Sequence, residues 1–104
     1  MADANATKNP FHELNALIHA PARLNIVTQL YVVESADFIF LKNLTGLTWG
    51  NLSAHISKLE EAGYVEVEKS IVNKKTHSVA ALTDAGRAAF DEYKQKMMEL
   101  LDQD

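Results

Sequence analysis

The sequence predicts an α+β domain, mainly helical, in which two tightly joined helices are followed by a basic-tipped β-hairpin and a closing helix. Three observations predict it. Apolar residues recur at helical spacing in four stretches before Gly63 and again after Thr83. Gly46 and Gly63 stand where helices would stop, since glycine takes the positive φ that closes a helix without a Cβ penalty. Between Tyr64 and Leu82 the apolar period drops to two, the spacing of extended chain.

The first helix is expected over 9–20. In NPFHELNALIHA, Asn9 can cap it and Pro10 can take its first position, where a missing amide proton costs nothing. Leu14, Leu17 and Ile18 then share a face. Pro21 starts the next helix in the same way, and Leu24, Ile26, Val27, Leu30 and Tyr31 give it the broad apolar side of a central buried helix. The pattern breaks around Ser35, Ala36 and Asp37, where a short strand could sit. Asp37 is placed to cap a short helix, FIFLKNLT, with Phe38, Leu41 and Leu44 inward.

After Gly46, Thr48 can cap a helix reaching about Ala62, with Leu52, Ile56, Leu59 and Ala62 in one stripe. Trp49, Asn51, Ser53, Ala54, His55, Ser57 and Lys58 fall largely elsewhere. Two helices joined so closely must cross steeply. Gly63 and Tyr64 together suit a C-terminal cap with its hydrophobic contact. The hairpin follows, with Asn73, Lys74 and Lys75 between its extended runs, so its tip is basic while its stem carries acids. Thr83 caps the last helix, 83–101, and Asp84 in its first turn suits the helix dipole. There Phe90, Tyr93, Met97 and Leu100 form a narrow seam like coiled-coil a/d positions, which asks for a partner.

The chain of 104 residues fits one domain over 1–104, and with 47% apolar and 23% charged residues it can build a core. Residues 1–8 are expected to be disordered. The absence of cysteine excludes disulfides, zinc–thiolate sites, iron–sulfur clusters and thiol nucleophiles. No secretory signal or membrane span is read in the first nine residues, so a cytoplasmic location is expected. No cofactor is expected, because His12, His19, His55 and His77 are scattered over separate elements. Catalysis has no support. Glu60 and Glu61 are adjacent and so diverge on a helix, Ser53 and His55 do not face each other, and no glycine-rich phosphate loop occurs.

The stretch LTGLTWGNLSAHISKLEEAGYVEVEK resembles the MarR/ArsR-like winged helix-turn-helix regulators, above all the small stand-alone winged-helix DNA-binding domains with an LTGLT-x-GNLS-x-H-x-x-KLEEAGYVEVEK core. ALTDAGRAAF is similar to the start of that family's last helix and LNALIHAPARLNIVTQL to its opening helices, so the likeness runs from Leu14 to Tyr93. It implies a winged helix-turn-helix with a two-stranded wing and N- and C-terminal dimerisation helices. It further implies a homodimeric, double-stranded DNA-binding transcription regulator. The helix of about 48–62 would enter the major groove, and the wing of about 71–77 would touch the flanking backbone.

Carried onto this chain, the implied DNA-binding residues are Thr48, Trp49, Asn51, Ser53, Ala54, His55 and Lys58, with Lys74, Lys75, Thr76 and His77 from the wing. The implied dimer interface is Leu14, Leu17, Phe90, Tyr93, Met97 and Leu100. Chemistry supports part of this set: Asn51 can bond an adenine edge or a phosphate, Thr48 and Ser53 can donate to phosphates, and a helix start offers free amides to an anion. Trp49 could instead plug against the preceding helix, Lys74 and Lys75 could be a solvated tip, and the seam could pack on its own domain. Ala54 and Ser57 stand where relatives often carry larger polar side chains, and His77 where the wing often has arginine.

The formal net charge of -4 opposes phosphate binding, but residues 83–104 hold six acids against three bases, away from the proposed contact surface. Lys42, Lys58, Lys74 and Lys75 give roughly three or four phosphate neutralisations per subunit, which implies strongly salt-sensitive affinity. The alternative reading is a winged-helix protein–protein interaction module without DNA contact, which the acidic balance, Ala54 and Ser57 make credible. An unknown small-molecule effector could bind between the dimer helices and the domain body.

Overall fold

The computed structural model describes residues 10–102, so the Asn9 cap and the disorder expected at 1–8 lie outside the described residues. The first helix expected from the sequence is reduced to a single 3-10 turn, Pro10–Glu13. Asn15 explains why. Its side-chain oxygen accepts from the amides of Leu17 and Ile18, at 3.0 and 3.2 Å, which offers that backbone an alternative to helical bonding. The irregular segment still delivers Leu14 and Ile18 to the core.

Ala20 is extended, as a residue before proline must be, and α1 (Pro21–Val33) starts with Pro21 in its first turn. It is the central helix the sequence implies, with Ile26, Val27 and Leu30 all at 0% exposure. Its C-cap, Glu34, sits at φ 72°. The short strand β1 (Ser35–Asp37) follows, and Asp37 caps α2 (Phe38–Thr45) by accepting from the Phe40 amide. Leu41 points inward as expected, but Leu44 is 45% exposed. Leu44, although inside α2, lies on its solvent side, and Leu47 beyond the turn packs on the core instead.

Gly46 takes φ 73° and Thr48 caps α3 (Trp49–Glu61), leaving a three-residue turn. Leu52, Ile56 and Leu59 are buried, whereas Ala62, expected on the same stripe, is exposed because the chain turns away at Gly63. The exit is a Schellman cap: the Gly63 amide donates to the Glu60 carbonyl and the Tyr64 amide to that of Leu59. Strands β2 (Val65–Val72) and β3 (Lys75–Leu82) pair antiparallel, with β1 on the free side of β3, giving a three-stranded sheet of order β1-β3-β2. Lys75 therefore belongs to a strand, and the tip is Asn73–Lys74 alone, both at positive φ as a type I′ turn requires.

Thr83 caps α4 (Asp84–Leu101) by accepting from the Gly86 amide. Gly86 lies against the Tyr64 carbonyl so closely that a Cβ there would overlap it. The same carbonyl accepts from the Thr83 amide, and the Tyr64 hydroxyl accepts from Asn15 Nδ2 at 2.8 Å. The seam on α4 divides. Phe90 and Tyr93 are each 5% exposed, covered by their own chain, with Phe90 against the Tyr31 ring and the Tyr93 hydroxyl 2.7 Å from His19 Nδ1. Leu14 is buried in the same core. These three have little surface left for a second chain. Leu17, Met97 and Leu100 are half-buried, and Met98 and Leu101 are 67% and 71% exposed.

Candidate nucleic-acid interface

The turn between α2 and α3 aims the start of α3 outward. Thr48 Oγ1 accepts from the Asn51 amide at 3.1 Å, and Leu47 donates to Thr45 Oγ1 at 3.3 Å, so the turn is braced by its own hydroxyls. Among the described residues no acceptor meets the Trp49 and Gly50 amides, which leaves the helix start able to hold an anion. The buried Leu52, Ile56 and Leu59 fix which face turns away from the core. Thr48, Trp49, Asn51, Ser53, Ala54 and Lys58 are all exposed on the remainder, and His55 is half-buried at its edge.

Trp49 is half exposed, and Lys42 Nζ lies 5.4 Å from its ring centroid, a cation–π contact between the two helices of the unit. The tryptophan thus leans on the preceding helix and still offers an open ring. It also lines a depression of about 330 Å³ with Asp37, Phe38, Ile39, Thr76, His77 and Ser78. This depression is where α3 and the wing meet: Trp49 comes together with Thr76 and His77. Lys74 and Lys75 lie farther out on the hairpin, exposed and joined to no other side chain of the set.

One cation near α3 carries no mark in the sequence. Arg23, in the first turn of α1, donates from Nε to the Leu17 carbonyl at 2.7 Å and from Nη1 to His55 Nδ1 at 3.1 Å. Its partner is thirty-two residues away, so no local spacing reveals it. Burial, then the charges of Arg23 and Lys58, hold the His55 imidazole below the ordinary histidine pKa. Burial likewise raises the Tyr93 phenol above its ordinary value.

The chain matches the family described as a winged helix DNA-binding domain over residues 22–101. It belongs to that family. The winged-helix chain is 36% identical over 84 residues to an uncharacterized protein of Methanocaldococcus jannaschii, covering 81% of this chain and 91% of that protein. Its fold superposes on a transcriptional regulator homologue from Pyrococcus horikoshii OT3 with a TM-score of 0.80 at 28% identity, covering 85% of this chain and 87% of that one. A MarR variant from E. coli complexed with operator DNA shares the fold at a TM-score of 0.65 and 18% identity, covering 88% of this chain and 68% of that one. The chain is thus a winged helix DNA-binding domain, and it shares its fold with regulators of the MarR family. Among the described residues no helix is long and apolar enough to cross a membrane.

Proposed function

We propose that this winged-helix protein is a homodimeric, sequence-specific regulator that lays α3 in the major groove of double-stranded DNA and the wing, about residues 71–77, on the flanking backbone. The observation that carries this reading is the uncovered polar flank of Thr48, Asn51, Ser53 and Lys58 beside an exposed basic hairpin. Phosphates would meet the free amides at the start of α3 and the lysines, and base edges would meet Asn51 and His55. Two copies would place their α3 helices in successive major grooves, on half-sites roughly 34–36 Å apart. We place the protein in the cytoplasm, and the cleft of about 240 Å³ lined by Asn15, Tyr64, Glu92 and Tyr93 is where an organic effector would fit.

Titration against a pool of genomic fragments tests the reading. Binding at least an order of magnitude tighter than to random duplex is expected, and equal affinity for both at low salt overturns it. In the same assay Asn51→Ala relaxes sequence choice. Removing Lys74 and Lys75 weakens all sequences alike and shallows the log–log salt slope by about 0.9 for each phosphate no longer neutralised.

A further inference from the structure

His55 occupies one flank of α3 together with Asn51 and Lys58, at spacings of four and three that place all three side by side. Its ring is held from behind. Arg23 is itself anchored by its Nε bond to the Leu17 carbonyl, so its Nη1 reaches His55 Nδ1 from a fixed position. Guanidinium offers five donors and no acceptor, and it does not lose its proton in proteins. Nδ1 must therefore be the acceptor in this contact. A neutral imidazole whose Nδ1 accepts carries its proton on Nε2. That nitrogen bonds to no described residue and is not sealed from solvent.

We infer that Arg23 is a specificity-determining positioning residue, which fixes His55 so that the groove-facing flank of α3 presents a hydrogen-bond donor and never an acceptor at that position. The inference rests on the DNA-reading role proposed for α3. A histidine free to exchange tautomers could pair with either kind of base edge. Locked as a donor, it accepts only acceptor edges, of which guanine with N7 and O6 offers the densest pair, and it rejects the amino groups of cytosine and adenine. Arg23 thus restricts one base position without touching DNA, and it does so from outside the helix-turn-helix unit.

Two-bond proton–nitrogen correlation spectra of the ¹⁵N-labelled protein near pH 7.5 test the lock directly. The expected His55 pattern is an unprotonated Nδ1 and a protonated Nε2; a protonated Nδ1 overturns the inference. Arg23→Gln, whose amide can donate or accept, should mix the tautomers and move the His55 titration midpoint up toward the ordinary histidine value. Arg23→Lys, a donor only, should restore the single tautomer. A ring unchanged by the Gln variant also overturns the inference. Thermal unfolding checks that variant, because Arg23 also braces the Leu17 carbonyl, and the wild-type spectrum stands without it.

Selection of bound DNA from random sequence supplies the second readout. Arg23→Gln should cut the preference for an acceptor base at one position by about threefold to tenfold, the worth of one hydrogen bond, and leave the others unchanged. A uniform loss across all sequences would reduce Arg23 to a plain cation and overturn the specificity role. If the wild-type protein selects no sequence, the proposed DNA-reading function falls and the specificity role with it, while the spectra still decide whether Arg23 sets the tautomer.

Discussion

At His55, burial and two neighbouring cations act in the same direction, against protonation of the ring. The unfolded chain takes up this proton near pH 6.5 while the folded chain resists, so the unfolded state binds more protons just below that pH. Stability from this site is therefore intact above about pH 6.5 and is lost as pH falls below it, levelling once the folded ring also titrates. Urea midpoints measured at pH 7.5 and pH 5.0 check this: His55→Gln should lose less stability across the interval than the wild type. A second residue is constrained by space. Gly86→Ala would drive a methyl group into the Tyr64 carbonyl, which is backbone and cannot swing aside, and should cost about 1–3 kcal/mol in thermal unfolding. The capping roles of Asp37, Thr48 and Thr83 are legible in the sequence because a cap acts within three residues of itself. That of Arg23 is not, because its meaning comes from a bond across two helices.

The wing turn is the element most exposed to conflicting demands. Asn73 tolerates positive φ, but Lys74 at φ 65° bears a left-handed conformation that costs a residue with a Cβ about 1–2 kcal/mol. Lys74→Gly should therefore raise the unfolding midpoint and at the same time weaken DNA binding by one phosphate contact. Parallel denaturation and salt-titration measurements would show the two properties moving in opposite directions; a fall in both would show that the turn is not strained. Among the elements, α1, α3 and α4 are readable from periodicity and their stops, and the hairpin from its change of period. The N-terminal stretch misleads because its apolar spacing is helical while Asn15 captures two amides a helix would have used. Leu44 and Ala62 mislead in another way: the apolar periodicity continues through both, but Gly63 turns the chain away at Ala62, and Leu44, inside α2, lies on the solvent side while Leu47 takes the core position.

For the whole molecule, the question is which surface would join two copies. The sequence points to the entire seam of α4 for that task, and the structure spends Phe90 and Tyr93 on the chain's own core. What remains uncovered is Met98 and Leu101 at the far end of the helix, with Met97 and Leu100 half-buried beside them. If two copies associate there, changing Met98 and Leu101 together to Glu should give a folded monomer by sedimentation and a much weaker operator complex. An unchanged dimer would move the interface elsewhere. The fold is legible because the caps and stops of α2, α3 and α4 are written locally, and the polar flank of α3 because its buried stripe is regular. Where the wing meets α3, at Trp49, Thr76 and His77, is hidden, since only the folded sheet brings them together.

Tyr64 gives the molecule a single pivot. Its amide closes the end of α3, its carbonyl receives Thr83 and abuts Gly86 at the root of α4, its hydroxyl ties down Asn15, and β2 begins at the next residue. With all of these joined at one peptide, a substitution that displaces Tyr64 would disturb the finger, the end of α3 and the root of α4 together.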